Sequence, residues 1–262
     1  MKVRDFEVGE CIGQSPRFRI YLGNNADGAP VVLKVAKTFE DGELLAREAS
    51  EFSILQSFKE DIAKIEAQTG RSNHYDWLFA DLLASFMEPS QGDRRINVLS
   101  AVGVDLSKLT PLTKLHSTIE IDARTSVWIL GRFFKFYGMF ELIAASKDEA
   151  APNYPIFSSD DYLVGPETHR LVYYNFSGDA ADVVAFDFVK AIANFMLSWV
   201  VINNESEERR YCNLLADFAK NGRETFEKAH SELYALVQDI WGIQYYPFTY
   251  RDQGTIVWKN LN

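Results

Sequence analysis

Hydrophobic residues along this chain follow two different periods, and the change between them comes early. Residues 31–33 form a continuous run of Val and Leu, which is typical of a buried strand. Between residues 44 and 55 the apolar side chains return every third or fourth position, as they do on one face of a helix. The pattern predicts a strand followed by a helix over residues 41–68, with its Glu- and Lys-rich face in solvent.

Short strand-like runs also occupy the rest of the first hundred residues. Residues 1–37 read as three strands, with a turn signal of Asn, Asp and Gly at residues 24–28. The apolar runs 76–87 and 94–99 are separated by a polar segment with Pro and Gly, which is typical of a β-hairpin. Together these runs predict an antiparallel sheet of about five strands.

The apolar spacing is helical through most of the second half. It predicts helices over residues 106–115, 121–146 and 181–202, and the last is apolar on nearly every side, so we expect it to be buried. Residues 211–241 are amphipathic and predict one long helix or two, ended by Gly242. The aromatic tail that follows is expected to pack down. The chain as a whole is predicted to be α+β.

One lysine, Lys34, interrupts the apolar strand at residues 31–36. An ammonium group buried there costs free energy unless a partner compensates its charge. The following helix carries Glu48, with Glu51 about one turn later on nearly the same face. We therefore predict an ion pair between Lys34 and Glu48, with Glu51 as the fallback partner. The alternative, that Lys34 lies on an edge strand and points into water, stays open at this point.

Composition narrows the classes of partner. The chain has 262 residues, a formal net charge of −10 and a pI of about 5.0. A negative protein repels phosphate backbones, so we expect no nucleic-acid partner. The sequence has no run of about 18 apolar residues, so we expect no membrane span. Its two cysteines, Cys11 and Cys212, form no metal motif and are expected to be reduced thiols in a cytoplasm.

The residues around Lys34 resemble the small lobe of protein kinases. Residues 6–23 read as two strands around a turn, and this hairpin resembles the kinase glycine-rich loop, with Gly13 at a glycine position. Lys34 lies about where kinases place the lysine of V-A-I-K, and Glu48 looks like the glutamate of helix αC. The resemblance implies that Gly13, Lys34 and Glu48 would be the nucleotide-binding residues.

This resemblance implies a bilobal protein-kinase-like fold. Residues 1–100 would form an antiparallel β small lobe with one αC-like helix, and residues 101–262 a mainly helical large lobe. Residues 100–105 would be the hinge. Among kinase-like proteins, the chain looks most like the divergent ones of bacteria and their phages.

The same resemblance places the catalytic region of a kinase at residues 154–178. Asp161 falls at the position of a magnesium-binding Asn, and Asn175 falls at the Asp of D-F-G, so one carboxylate and one amide would remain as Mg²⁺ ligands. The base position is Ile156, which cannot accept a proton. Asp160 and Asp161 are the acidic candidates nearby for a catalytic role. The alternative is that both only cap a turn.

The glycine-rich loop departs from the kinase pattern. Gly13, Ser15 and Phe18 stand where kinases have three glycines, and Pro16 lies between them. Glycine lets backbone N–H groups approach phosphates. Pro16 has no N–H group to donate, and the Phe18 ring could plug the nucleotide pocket. We therefore predict that nucleotide binding is weak or lost.

The segment that holds a protein substrate in kinases is nearly absent. Six residues separate Asn175 from Asp182, which resembles the αF aspartate, and the sequence has no A-P-E motif. These departures predict a pseudokinase, a binding or regulatory module with a protein partner and without protein phosphorylation. The alternative is an atypical phosphotransferase or nucleotidyltransferase that uses ATP and Mg²⁺ with Lys34, Glu48, Asp161 and Asn175.

Overall fold

The chain forms two compact units. In the computed structural model, the described residues are 2–69, 75–100, 108–146, 154–175, 184–202, 206–242, 249–252 and 255–258. The first unit is Met1–Thr110 together with Val172–Asn175, and the second is Pro111–Leu171 together with Phe176–Asn262. The first unit is therefore discontinuous in sequence, because it takes four residues from the middle of the chain.

A six-stranded antiparallel sheet organises the first unit. Its strand order is β1-β2-β3-β4-β6-β5. The strands are β1 (Lys2–Val3), β2 (Phe6–Gln14), β3 (Phe18–Asn24), β4 (Pro30–Ala36), β5 (Asp81–Glu88) and β6 (Arg94–Ser100). The sheet has one strand more than predicted, because Lys2 and Val3 pair with β2 as a separate short strand.

Helix α1 (Asp41–Thr69) follows β4, as the change of period predicted. Its apolar positions Leu45, Phe52 and Leu55 are buried. The predicted hairpin of β5 and β6 is also present. Its first strand begins later than predicted, because Tyr75–Trp77 form a short 3-10 turn before the chain extends.

The second unit is mainly helical. Its helices are α2 (Leu112–Thr118), α3 (Ala123–Ser146), α4 (Ala185–Leu197), α5 (Ser206–Asn221) and α6 (Phe226–Trp241). The remaining strands of the chain, all short, are β7 (Thr110–Pro111), β8 (Glu120–Asp122), β9 (Tyr162–Gly165), β10 (Arg170–Tyr173), β11 (Val200–Val201), β12 (Thr249–Asp252) and β13 (Thr255–Trp258). They form two sheets in the orders β10-β9-β7 and β11-β8-β12-β13. Among the described residues, every helix is too short or too polar to cross a membrane.

Three helix predictions for this unit need correction or refinement. The predicted helix at 106–115 is α2, which begins only at Leu112. The run 211–241 lies in two helices, because Gly222 adopts a left-handed φ of 57° after α5. Helix α4 is shorter than predicted and is not buried on every side: the Phe186 side chain is 38% exposed, and the Lys190 ammonium lies 4.1 Å from its ring centroid.

Candidate functional site: a buried lysine network in the first unit

Lys34 lies in the middle of the sheet, where β4 pairs with β3 on one side and β6 on the other. Its register partners are Ile20 and Asn97. The residue is only 1% exposed, so the alternative of an edge strand with a solvated lysine is wrong. The ammonium forms an ion pair with Glu48 of α1, which is 2% exposed. The predicted pair is thus confirmed, and the fallback residue Glu51 is exposed.

Asn97 holds the carboxylate of this pair from the other side. Its Nδ2 donates to Glu48 Oε2 at 2.9 Å and to the Leu45 carbonyl oxygen at 2.8 Å. Asn97 itself is fully buried in β6. The carboxylate therefore has a separate partner for each oxygen, as a buried charge requires.

The other partner of the Lys34 ammonium comes from the segment at 172–175. Nζ donates to Oδ1 of Asn175, the residue predicted at the D-F-G position. Two aromatic rings lie near the same nitrogen, with the Phe18 centroid at 5.4 Å and the Tyr174 centroid at 6.0 Å. These distances are within the range of cation–π attraction. The ammonium is thus surrounded by groups of its own unit.

The hairpin between β2 and β3 uses its tip N–H groups internally. Ser15 N–H donates to the Phe18 carbonyl oxygen at 2.9 Å. The N–H groups of Arg17 and Phe18 donate to Ser15 Oγ at 3.3 and 3.0 Å. Pro16 has no N–H group. Phosphate binding by a glycine-rich loop requires backbone N–H groups aimed at the ligand. The tip residues from Ser15 to Phe18 do not fit a phosphate in this conformation.

Segment 172–175 is fixed to the first unit by its backbone. Tyr173 N–H donates to the Leu78 carbonyl oxygen, and Ala80 N–H donates to the Tyr173 carbonyl oxygen, both at 2.8 Å. The Phe52 and Tyr173 rings are 6.3 Å apart. This anchoring explains how Asn175 reaches a lysine so distant in sequence.

Asp160 and Asp161 lie in the second unit, in a 3-10 turn (Ser159–Asp161) before β9. The cap of this turn is Ser158, whose Oγ accepts from Asp160 N–H at 3.3 Å. Asp160 is exposed and accepts from Thr113 Oγ1 at 2.8 Å, whereas Asp161 is fully buried. The two carboxylates therefore lie in different surroundings. The cap of this turn is Ser158, so neither Asp160 nor Asp161 has the capping position considered as an alternative to a catalytic role.

The buried Asp161 carboxylate influences a nearby phenol. Burial raises the pKa of Tyr137, and the charge of Asp161 raises it further. The hydroxyl of Tyr162 donates to that of Tyr137 at 3.0 Å. Ile156, at the predicted base position, is 40% exposed and offers no proton acceptor.

Some predicted features lie outside the described residues, including Asp182 and hinge residues 101–105. Within the described ranges, no group of three or more His, Cys, Asp and Glu side chains is placed to hold a metal ion. Sequence reasoning missed Asn97 and Tyr174. A signal existed for Asn97, because it is a polar residue inside the apolar run of β6. The sequence around Tyr174 gave no comparable signal.

A kinase and a pseudokinase are among the solved structures that match this chain. Vaccinia related kinase 3 superposes with a TM-score of 0.54 at 11% identity, over 89% of this chain and 88% of that chain. The apo structure of a pseudokinase superposes with a TM-score of 0.55 at 11% identity, over 88% of this chain and 90% of that chain. Comparisons with protein-family models and with curated proteins give no match. At this identity the likeness concerns the fold.

Proposed function

Because the chain has a protein-kinase-like fold, we propose that it is a pseudokinase: a binding or regulatory module with a protein partner, which does not phosphorylate proteins. The observation that carries this proposal is the enclosure of the Lys34 ammonium. Its partners are Glu48, Asn175 and two aromatic rings, and it is 1% exposed. In kinases the corresponding lysine contacts the nucleotide phosphates.

The hairpin tip supports the same proposal independently. A nucleotide that approached residues 15–18 would have to displace internal hydrogen bonds of Ser15, Arg17 and Phe18 before it gained any. Each lost intramolecular bond costs about 0.5–1.5 kcal/mol. Ile156 removes the proton acceptor that would orient an attacking hydroxyl group. Binding and chemistry are therefore both disfavoured, by different residues.

Thermal unfolding with ATP and Mg²⁺ tests the proposal. A ligand at 100 times its dissociation constant stabilises a protein by about 2.7 kcal/mol. We expect no increase in Tm for the wild-type chain at millimolar ATP and Mg²⁺. A reproducible rise of several degrees would show that the pocket is open to nucleotide and would refute the proposal.

A double variant, P16G/F18G, makes the same experiment more specific. It restores one backbone N–H group and removes the ring near Lys34, so nucleotide-dependent stabilisation is expected to appear. The matched control is Phe39→Gly, which removes an exposed Phe ring elsewhere in the first unit. A gain in the control as well would mean that general loosening, rather than the tip, is responsible.

A second candidate function is an atypical phosphotransferase or nucleotidyltransferase. The observation that favours it is the intact Lys34–Glu48 pair, because active kinases need the corresponding pair in place. ATP labelled at the γ or at the α position separates the two chemistries. Label from the γ position that is lost in both Lys34→Ala and Asp161→Ala, but kept in Lys59→Ala, would establish phosphotransfer. Label from the α position would indicate nucleotidyl transfer.

A further inference from the structure

One face of helix α3 in the second unit carries two cationic side chains, Arg132 and Lys135, beside a tryptophan. Trp128, Arg132 and Lys135 are spaced by four and three residues, so they share one face of the helix. All three are half-buried. None of them contributes to the network around Lys34, so the proposed function leaves them unexplained.

Two histidines from other elements approach this face. The His169 ring, in the turn between β9 and β10, stacks on Trp128 with centroids 4.9 Å apart and planes inclined by 23°. His230 of α6 packs over Gly131, where an added Cβ would lie 3.9 Å from its Nε2 atom. Both imidazoles are half-buried. The imidazole of His230 therefore lies beside the α3 backbone, one position from Arg132.

Burial and nearby positive charge both disfavour protonation of the two imidazoles. Burial lowers the pKa of His169, and the charge of Arg132 lowers it further. Burial likewise lowers the pKa of His230, with Lys135 and then Arg132 adding to the effect. Burial also lowers the pKa of the Arg132 guanidinium, and among the described residues no carboxylate bonds to it. The chain has 37 acidic residues, yet none of those that the structure describes is bonded to Arg132.

We propose that Arg132, His169 and His230 form a binding site for a phosphate group, either a free anion or a phosphate monoester carried on a peptide. A guanidinium donates paired N–H bonds in one plane, which suits a phosphate edge. Each imidazole adds an N–H donor from another element. A phosphate has enough oxygens to accept from all three groups, whereas a carboxylate has two. The anion would also offset the positive charge of Arg132, which disfavours protonation of both imidazoles.

NMR titration of the imidazole signals tests this site with inorganic phosphate as the probe. The chain has four histidines, so the signals are few and can be assigned with His→Gln variants. Phosphate is expected to raise the pKa of His169 and His230, because a nearby anion stabilises the imidazolium form. His116 is the internal control, since its Nε2 lies 3.0 Å from Ser198 Oγ elsewhere in the same unit. Equal changes in all histidines at constant ionic strength would refute the site.

Variants of α3 provide the second arm. Arg132→Gln is expected to weaken phosphate binding about tenfold or more, as the loss of a charge-assisted contact does. The matched control is Arg124→Gln on the same helix, whose guanidinium lies over the Trp241 ring instead. If Arg132→Gln unfolds, His230→Gln replaces it, and phosphate binding is followed through the NMR signal of His169. Unchanged affinity in a folded Arg132→Gln or His230→Gln would refute the proposal.

A phosphoserine peptide and its unphosphorylated form distinguish the two sources of phosphate. Saturation by the phosphopeptide at lower concentration than inorganic phosphate would assign the site to a modified partner. Equal response to both would assign it to the free anion. Response to the unphosphorylated peptide would contradict phosphate recognition. None of these measurements involves Lys34, so the outcome is independent of the proposed function.

Discussion

Removing the charge of Glu48 should destabilise the protein severely. Lys34 and Glu48 are 1% and 2% exposed, so Glu48→Gln leaves a desolvated ammonium without its counter-charge. Breaking a buried ion pair at one partner costs about 3–5 kcal/mol. For a chain of this size, 1 kcal/mol shifts Tm by about 2–4 °C, so we expect a decrease of about 6–20 °C. Thermal and urea unfolding of the variant measure the loss directly.

Replacing both charges should cost much less than the two single replacements together. K34M/E48L removes both the attraction between the two charges and the cost of desolvating them. Replacing a buried ion pair by apolar side chains in this way is often neutral or stabilising by about 1–4 kcal/mol. Against this, Asn175 loses the hydrogen bond from Lys34, which costs about 1 kcal/mol. The double variant is therefore expected within about 3 kcal/mol of the wild type.

An exposed pair provides the control for this comparison. Lys64 and Asp61 on α1 have side chains 68% and 40% exposed, and such pairs contribute about 0–1 kcal/mol. Asp61→Asn should therefore leave the free energy of unfolding nearly unchanged. If Glu48→Gln were equally mild, the inference that the Lys34 ammonium depends on its carboxylate partner would be refuted.

Three further predictions concern the second unit and the thiols. Gly222→Ala should lower the free energy of unfolding by more than about 1 kcal/mol, because φ is 57° and the new Cβ would lie 2.5 Å from a carbonyl oxygen in α4. The control is Gly242→Ala, where φ is also positive but the space is open, and it should cost less in the same urea titration. A thiol reagent at pH 8 should label Cys11, which is exposed, and spare Cys212, whose pKa burial raises to about 11; fast labelling of Cys11→Ala would contradict this. Burial raises the pKa of Glu141, so folding favours its protonated form. The contribution of Glu141 to the free energy of unfolding should therefore fall as pH rises from its unfolded pKa through its folded pKa. Thermal melts at several pH values should show a weaker dependence of Tm on pH for Glu141→Gln.

Much of the first unit could be predicted from sequence because its signals are local. The change from strand to helix period between residues 31 and 55 predicted that β4 is followed by α1. It also predicted the pairing of Lys34 with Glu48, which the structure confirms. The two residues are only fourteen positions apart in sequence, so the strand register and the helix face bring them together. The hairpin of β5 and β6 was predictable for the same reason.

The contacts that enclose Lys34 could not be predicted in that way. Asn175 is 141 residues away, and nothing in its local pattern states that segment 172–175 pairs with residues 78–80. Spacing predicted a helix buried on nearly every side, but tertiary neighbours decide which faces of α4 are covered, and Phe186 stays 38% exposed. The resemblance-based roles of Asp161 and Asn175 remain predictions.

The discontinuity of the first unit has a consequence for folding during synthesis. A nascent chain that ends near residue 110 contains the whole six-stranded sheet and helix α1. It still lacks Tyr173, which pairs with Leu78 and Ala80, and it lacks the amide that Lys34 binds. The ribosome adds about 5–20 residues per second, so the first unit waits several seconds with a buried lysine one partner short. Its early form should therefore depend on the Glu48 carboxylate more than the finished protein does.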